Sequence, residues 1–331
     1  MSSSSAIEWT NATWNPVMGC TKVSQGCKNC YAERLWPKVE GARVKREGGE
    51  PRPFTHVSTL PDRLDAPLHW TKARRIFVNS MSDLFHENVP DEFVLQVFDV
   101  MRQSENGHAP KLGRLIPQHT FQILTKRPER MRDFCRRIRF AQNDGRGLYL
   151  AGSEQHQGFN PMSLLKHVWL GVSVEDQATA DERIPLLLQT PAAVRWISAE
   201  PLLGRVDLQH LGIARGRWLN ALTCDYIDAT NGDVIAGPPT GSGPLDWVVA
   251  GGESGPKARP SHPDWFRSLR DQCRIDDVPF FFKQWGEWAS VSQVEGKGDH
   301  HHFDDGATVR RVGKQIAGRQ LDGREWNEYP A

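Results

Sequence analysis

Three cysteines, Cys20, Cys27 and Cys30, fall within eleven residues, inside Trp14-Asn15-Pro16-Val17-Met18-Gly19-Cys20-Thr21-Lys22-Val23-Ser24-Gln25-Gly26-Cys27-Lys28-Asn29-Cys30-Tyr31-Ala32-Glu33-Arg34. Thiolates so close together on one loop can converge on a single centre, and Gly19 and Gly26 permit the tight turns this needs. Three protein ligands leave a coordination position open. A cubane iron–sulfur cluster held in this way has one iron without a protein ligand, free to take a substrate or cofactor. The same logic separates catalytic from structural zinc. A structural zinc completed by a distant His or Asp is the second reading, although no second Cys-x2-Cys or nearby His accompanies the loop. Three inert thiols fit poorly, because the local sequence is polar and Gly-rich rather than apolar. The other cysteines, Cys135, Cys224 and Cys273, are scattered.

Such a loop needs a scaffold. The chain has 331 residues, 38% apolar and 24% charged, with 41 basic and 40 acidic side chains, an ordinary globular balance. No apolar run approaches the ~18 residues needed to cross a bilayer, and the N-terminus lacks the charged start and apolar stretch of a secretory signal. The expected setting is the cytoplasm, without a membrane partner, where a disulfide framework is a poor explanation for clustered thiols. Charge is locally uneven: residues 101–150 carry eleven Lys/Arg against four Asp/Glu, and residues 151–250 carry six against eleven. This excludes a uniformly basic coating for nucleic acid but leaves room for one basic face.

Short β-rich runs at Thr13–Gly19, Arg75–Ser80, Thr120–Thr125, Val168–Val174, Val194–Ala199, Trp247–Ala250 and Pro279–Lys283 are nearly continuous in apolar residues, as strands buried on both faces are. Helical spacing relates Val94, Val97, Phe98 and Met101, then Met131, Phe134, Cys135 and Ile138, then Trp265, Phe266, Leu269 and Cys273. The pattern predicts an α/β fold with right-handed crossovers, closed or partial as a (β/α) barrel, with an open doubly wound sheet as its rival. Residues 40–72, 104–118 and 141–166 read as loops, and 213–245 as an insertion carrying a hairpin with its turn at Asn231-Gly232. The expected organisation is one domain over 1–288 and a C-terminal tail over 289–331, packed on the surface or partly mobile.

With its position after the first strand run, Cys-x6-Cys-x2-Cys-Tyr resembles the cluster loop of radical-SAM enzymes, with three more residues between the first two cysteines than the commonest spacing. Ile7-Glu8-Trp9-Thr10 with Trp14-Asn15-Pro16, and Gly318-Arg319 with Leu321-Asp322-Gly323-Arg324-Glu325-Trp326, make the whole chain similar to a phage-associated three-cysteine family related to them. Phe77-Val78-Asn79-Ser80-Met81-Ser82-Asp83 and Ile123-Leu124-Thr125-Lys126 resemble the spore photoproduct lyase branch. These resemblances imply a radical-SAM-like barrel, a 4Fe-4S cluster on Cys20, Cys27 and Cys30, and S-adenosylmethionine on its open iron. They place Tyr31 near that cofactor, Lys126 at its carboxylate, and Ser80, Ser82 and Asp83 around its amino group. They also imply a 5′-deoxyadenosyl radical, an electron-donor protein, and a nucleic-acid or nucleotide substrate to be modified or repaired.

Other strand ends add polar groups at the face where barrels do chemistry. Gly251 and Gly252 would let backbone approach an adenine or ribose closely, or simply make a turn. Glu200 and Glu253 are acid–base or substrate-orienting candidates by position alone, whereas Asp83, Asp176 and Ser254 have helix capping as their plain alternative. Arg130, Arg132, Arg136, Arg137 and Arg139 face outward from the Met131 stripe and have the chemistry to neutralise phosphates, although a solvated surface is the ordinary role of such a face. Trp169, Trp196 and Trp247 read as core, Trp285 and Trp288 as possible base-stacking platforms, and His300–His302 as a solvated loop. The second expectation is a protein of another class, a zinc- or cluster-stabilised binder of nucleic acid or of a partner protein that performs no turnover.

Overall fold

Each of the seven apolar runs contributes a strand to one sheet in the computed structural model, which describes residues 5, 7–105, 108–109, 114–140, 148–151, 162, 165–214, 216–237 and 242–331. The strands are β1 (Ala12–Trp14), β2 (Arg75–Val78), β3 (Thr120–Thr125), β4 (Val168–Ser173), β5 (Val194–Ala199), β6 (Trp247–Gly251) and β7 (Phe280–Gln284). Their order across the sheet is their order along the chain. A doubly wound sheet reverses its order at a switch point; this one does not. Right-handed crossovers taken always in one direction put the connecting helices on one face, which is the winding of a barrel. Because β1 and β7 are the two edges, the sheet is open and corresponds to the partial form of the expected barrel. Helices α1 (Tyr31–Glu47), α2 (Asp91–Glu105), α3 (Pro128–Arg137), α4 (Gln177–Leu188) and α5 (Pro263–Ile275) lie in the connections, except that between β5 and β6. No helix among the described residues is long and apolar enough to cross a membrane.

Two compact units emerge: Met1–Val23 with Cys30–Leu170 and Thr190–Ala193, and Ser24–Asn29 with Gly171–Gln189 and Val194–Ala331. In the first, β1–β2 and β2–β3 pair in parallel. The inward stripe of α2 is fully buried at Val94, Val97, Phe98 and Met101, where Phe98 meets Phe134 of α3. In the second, β5–β6 and β6–β7 pair in parallel, and Trp196 stands opposite Trp247 with ring centroids 5.3 Å apart. Trp169, Trp196 and Trp247 are all buried, as core residues should be.

Several expectations need correction. Residues 40–47, expected as loop, continue α1, which ends only where Gly48 and Gly49 adopt positive φ. The hairpin turn at Asn231-Gly232 is present, but its strands belong to a four-stranded antiparallel sheet that begins at Leu211. Much of 104–118 and 141–166 lies outside the described residues. The segment from 289 onward falls within the second unit: Trp288–Ser290, Thr308–Arg311 and His300–His302 form a three-stranded sheet, and Phe282 donates its amide to the Trp326 carbonyl at 3.0 Å. His300–His302 is therefore a strand rather than a loop. Trp285 is 1% exposed, packs on Phe266 and Phe282 and donates its indole N–H to the Gln320 carbonyl; it is core, with no face for a base.

The chain beyond α1 carries the Phe54 and His56 carbonyls that lie against Gly19, and a buried carboxylate fixes its course. Glu40 accepts from Arg43 Nη2 at 2.7 Å, from Arg52 Nε at 3.0 Å and from the Arg52 amide at 2.9 Å. The Arg43 hydrogen bond, opposed by burial and reinforced by Arg52, holds the Glu40 carboxyl down from 4.5 to about 2. A carboxyl lowered on folding stabilises the protein fully above its unfolded value and loses that contribution as pH falls toward the folded value. Glu40→Gln is therefore expected to lower the thermal midpoint at neutral pH, with the gap from wild type closing between about pH 4.5 and 2. Thermal unfolding of both proteins across that range measures it, and a gap independent of pH speaks against the ion pair as its source.

Candidate metal centre

In the first unit, the cysteine loop leaves the Val17–Met18 strand through Gly19, whose φ of +86° suits glycine alone. A Cβ there would lie 2.2 Å from the His56 carbonyl oxygen. The Cys20 amide then donates to the Phe54 carbonyl at 2.9 Å. Cys30 precedes α1 as its N-cap and packs against the buried group Met18, Ala32, Trp36 and Met81. Backbone bonds and core contacts thus fix the positions of Cys20 and Cys30.

Arg127, at the end of β3, stands beside Cys20, its Nη1 3.8 Å from Sγ. The same guanidinium reaches Asp83, Glu87 and both oxygens of Thr21. Burial works against the Arg127 charge, and Asp83, Cys20 and Glu87 together outweigh it and raise the pKa. His86 is fully buried, and burial followed by the Arg127 charge lowers its pKa, keeping the ring neutral. Its Nδ1 accepts from the Asn88 amide, which assigns the proton to Nε2 and makes that atom the donor to Thr21 Oγ1 at 2.9 Å.

The residues singled out by resemblance in this unit are mostly engaged with the protein. The Tyr31 hydroxyl donates to the Ser80 carbonyl, and the residue is 43% exposed. Ser80 Oγ donates to Asn15 Oδ1 and Ser82 Oγ to the Val17 carbonyl, tying the end of β2 to the stretch after β1. Asp83 is buried and accepts from Thr125 Oγ1, the Lys126 amide, the Phe85 amide and Arg127, so it fastens the ends of β2 and β3 to each other. Lys126 is half-buried.

The Arg-rich face is largely neutralised. Arg130 and Arg137 share Asp91, and Arg132 pairs with Asp133. Arg139 is not on the helix at all: it lies in the Ile138–Phe140 strand, 5% exposed, donating to the carbonyls of Arg136 and Ile138.

In the second unit, Ser24–Asn29 carries Cys27 at the end of a single 3₁₀ turn, Gln25–Cys27. Glu175, just past β4 and fully buried, accepts from Ser24 Oγ at 3.2 Å and from Arg183 Nη1. A Cβ on Gly26 would fall 2.3 Å from Glu175 Oε1, so the turn sits directly on this carboxylate. Glu253, just past β6, accepts from Arg259 through both side chain and amide and from Asn29 Nδ2 at 3.1 Å. Burial pushes the Glu253 pKa up, and the Arg259 hydrogen bonds outweigh it, leaving a lowered, ionised carboxylate. Arg259 also donates to the Gln25 carbonyl at 3.1 Å. Two buried carboxylate–arginine pairs thus hold the Cys27 turn from its start and its end.

Gly251 ends β6 and Gly252 follows it. Gly252 is required by the backbone itself, since a Cβ would lie 1.9 Å from the Trp285 carbonyl oxygen. Gly251 faces Glu200, which is paired with Lys283 at 2.8 Å and bonded by Gln284 Nε2. Asp176 is the cap of α4, in a reciprocal box with Thr179, and Ser254 accepts from Gln284 rather than capping a helix.

The loop cysteines differ chemically from the other three. Cys20, Cys27 and Cys30 are half-exposed, whereas Cys135, Cys224 and Cys273 are buried and their thiols are pushed up by that burial. Among the described residues, the one trio of Cys, His, Asp or Glu donors within 4.8 Å of one another is His262, Asp264 and Asp305; the loop thiols do not form such a trio. Zinc with bonds of about 2.3 Å draws its tetrahedral thiolates to within ~3.8 Å of each other. A cubane binds each cysteine on a different iron and so accepts a wider set. Half-exposed thiols, with a cation beside Cys20, are donors that an iron–sulfur cluster can use.

Fold and loop together define an α/β protein with a singly wound parallel sheet and a cysteine-bearing loop after its first strand. The chain belongs to the family described as "Protein of unknown function (DUF5131)", whose model matches residues 4–330. No curated protein and no solved structure matches it.

Proposed function

We propose that this protein is a radical S-adenosylmethionine enzyme in which Cys20, Cys27 and Cys30 hold a 4Fe-4S cluster. The observation that carries the reading is the set of three half-exposed cysteines, none in a disulfide, on one loop after the first strand of a singly wound sheet. When bound and reduced by one electron, such a cluster supplies the electron that splits the cofactor's sulfonium into methionine and a 5′-deoxyadenosyl radical. The chain's own contribution is binding and exclusion. Lys126 offers its charge to the cofactor carboxylate, and the exposed ring of Tyr31, next to the last cysteine, offers an apolar face. Ser80, Ser82 and Asp83, committed to backbone and side-chain partners, hold the strand ends rigid. Gly251 lies beside Glu200 and Lys283, where a Cβ would come within 3.4 Å of each. The substrate class proposed is nucleic acid or nucleotide, resting on the lyase-like strand ends and not on the arginine face, where Arg130, Arg132 and Arg137 are paired with carboxylates. A separate protein delivers the electron.

Anaerobic reconstitution with iron and sulfide tests this. The expected product is a brown protein with close to four irons per chain that releases 5′-deoxyadenosine when given dithionite and S-adenosylmethionine. Colourless protein with a single zinc would instead support a metal-stabilised binder, and brown protein that leaves the cofactor intact would remove the enzymatic reading.

A further inference from the structure

The guanidinium of Arg127 has five N–H groups, and each has an acceptor. Nε donates to Glu87 at 2.9 Å, and Nη2 donates to the Thr21 carbonyl at 3.4 Å and to Thr21 Oγ1 at 2.8 Å. Nη1 divides its two hydrogens between Asp83 Oδ2 at 3.3 Å and Cys20 Sγ at 3.8 Å. The plane of the fork is therefore fixed from three sides, and its side chain is 11% exposed. A cation held so firmly against one thiol, by acceptors that do not belong to that thiol, is more than a surface ion pair. Asp83 in turn is pinned by Thr125 and two backbone amides, so the support behind the arginine is itself rigid.

We infer that Arg127 is a positioning residue for the metal-bound Cys20 sulfur, and that the N–H···S contact sets the reduction potential of the centre. The inference rests on the iron–sulfur reading of the cysteine loop. A hydrogen bond and a positive charge at a ligand sulfur stabilise the reduced, more negative state and raise the potential. Glu87, whose side chain is 62% exposed, offsets part of that charge from the far side of the guanidinium.

Two substitutions should move the potential in opposite directions. Arg127→Gln is expected to shift the one-electron equilibrium about tenfold toward the oxidised form, roughly 59 mV more negative. Glu87→Gln, on the exposed rim, is expected to shift it the other way by a smaller factor. The experiment is an anaerobic redox titration of reconstituted full-length protein, followed by paramagnetic resonance, with iron per chain measured in parallel. A purely structural arginine would lose iron without producing shifts of opposite sign. Should Arg127→Gln fail to fold because buried Asp83 loses its counter-charge, the sign of the Glu87→Gln shift decides alone. Unchanged potentials in iron-replete variants overturn the inference and leave the enzymatic reading standing. Wild-type protein that takes up no iron overturns both.

Discussion

Alanine at Cys20, Cys27 or Cys30 is expected to strip reconstituted protein of most of its iron and to cut 5′-deoxyadenosine release by more than about a hundredfold. Even groups one bond removed from a metal ligand typically cost 10–100-fold in affinity or activity; loss of a ligand itself should exceed that. The protein should remain folded, because the thiols are half-exposed and their backbones are fixed independently. Gly19 and Cys20 donate to the Met81 and Phe54 carbonyls, and the Cys27 turn is held by Glu175 and Glu253 through Ser24 and Asn29. Cys135→Ala is the internal contrast. That thiol is fully buried in α3, so its removal should cost roughly 1 kcal/mol of stability through a small cavity and leave iron content and product formation unchanged. Iron and sulfide analysis, visible absorption and chromatographic product detection, with far-ultraviolet dichroism as the folding control, measure each arm. Full iron retention in Cys27→Ala would remove the three-thiolate centre from consideration.

The strands were legible because parallel-sheet strands are buried on both faces and leave a continuous apolar signature. Val168–Ser173 is buried at every position, and so is Trp247–Gly251. The winding was less legible, since apolar runs carry no information about neighbours. The extension of α1 to Glu47 was obscured by its polar composition: its buried apolar residues, Ala32 and Trp36, lie in the first half, and the second half buries Glu40 against Arg43 and Arg52. The cysteine loop was plain from spacing. Its supports were not, because they lie far away in sequence: Arg127 is 107 positions from Cys20, and Glu175 is 151 from Ser24. One signal was available. Glu175 and Glu253 each follow a wholly buried run, and an ionised group placed there requires a cationic partner; Arg183 and Arg259 are those partners. The arginine face misled for the converse reason, since the outward pattern of Arg130 and Arg137 says nothing about Asp91 waiting on α2.

Gly19→Ala should be among the most damaging single changes outside the ligands themselves, and its effect should reach the metal. At φ +86° an alanine costs about 1–2 kcal/mol in backbone strain. Its Cβ would also lie 2.2 Å from the His56 carbonyl oxygen and 2.9 Å from that of Phe54, so the backbone of that segment has to move. Displacing packed structure in this way typically adds 1–3 kcal/mol. Together these predict a loss of about 2–5 kcal/mol and, for a chain of 331 residues, a fall in the thermal midpoint on the order of 3–7 °C. The Phe54 carbonyl that must shift is the acceptor for the Cys20 amide, so the strain falls on the residue that presents the first thiol. Iron uptake in Gly19→Ala should therefore drop at temperatures where the variant is still folded. Gly41→Ala provides the control: it lies in α1 with open space around its Cβ position, and alanine favours the helix by about 1 kcal/mol over glycine. It should keep its iron and raise the midpoint slightly, by about 1 °C. Calorimetry paired with iron analysis separates the two effects, and a Gly19→Ala protein that is destabilised yet binds a full complement of iron would show that the turn serves the fold alone.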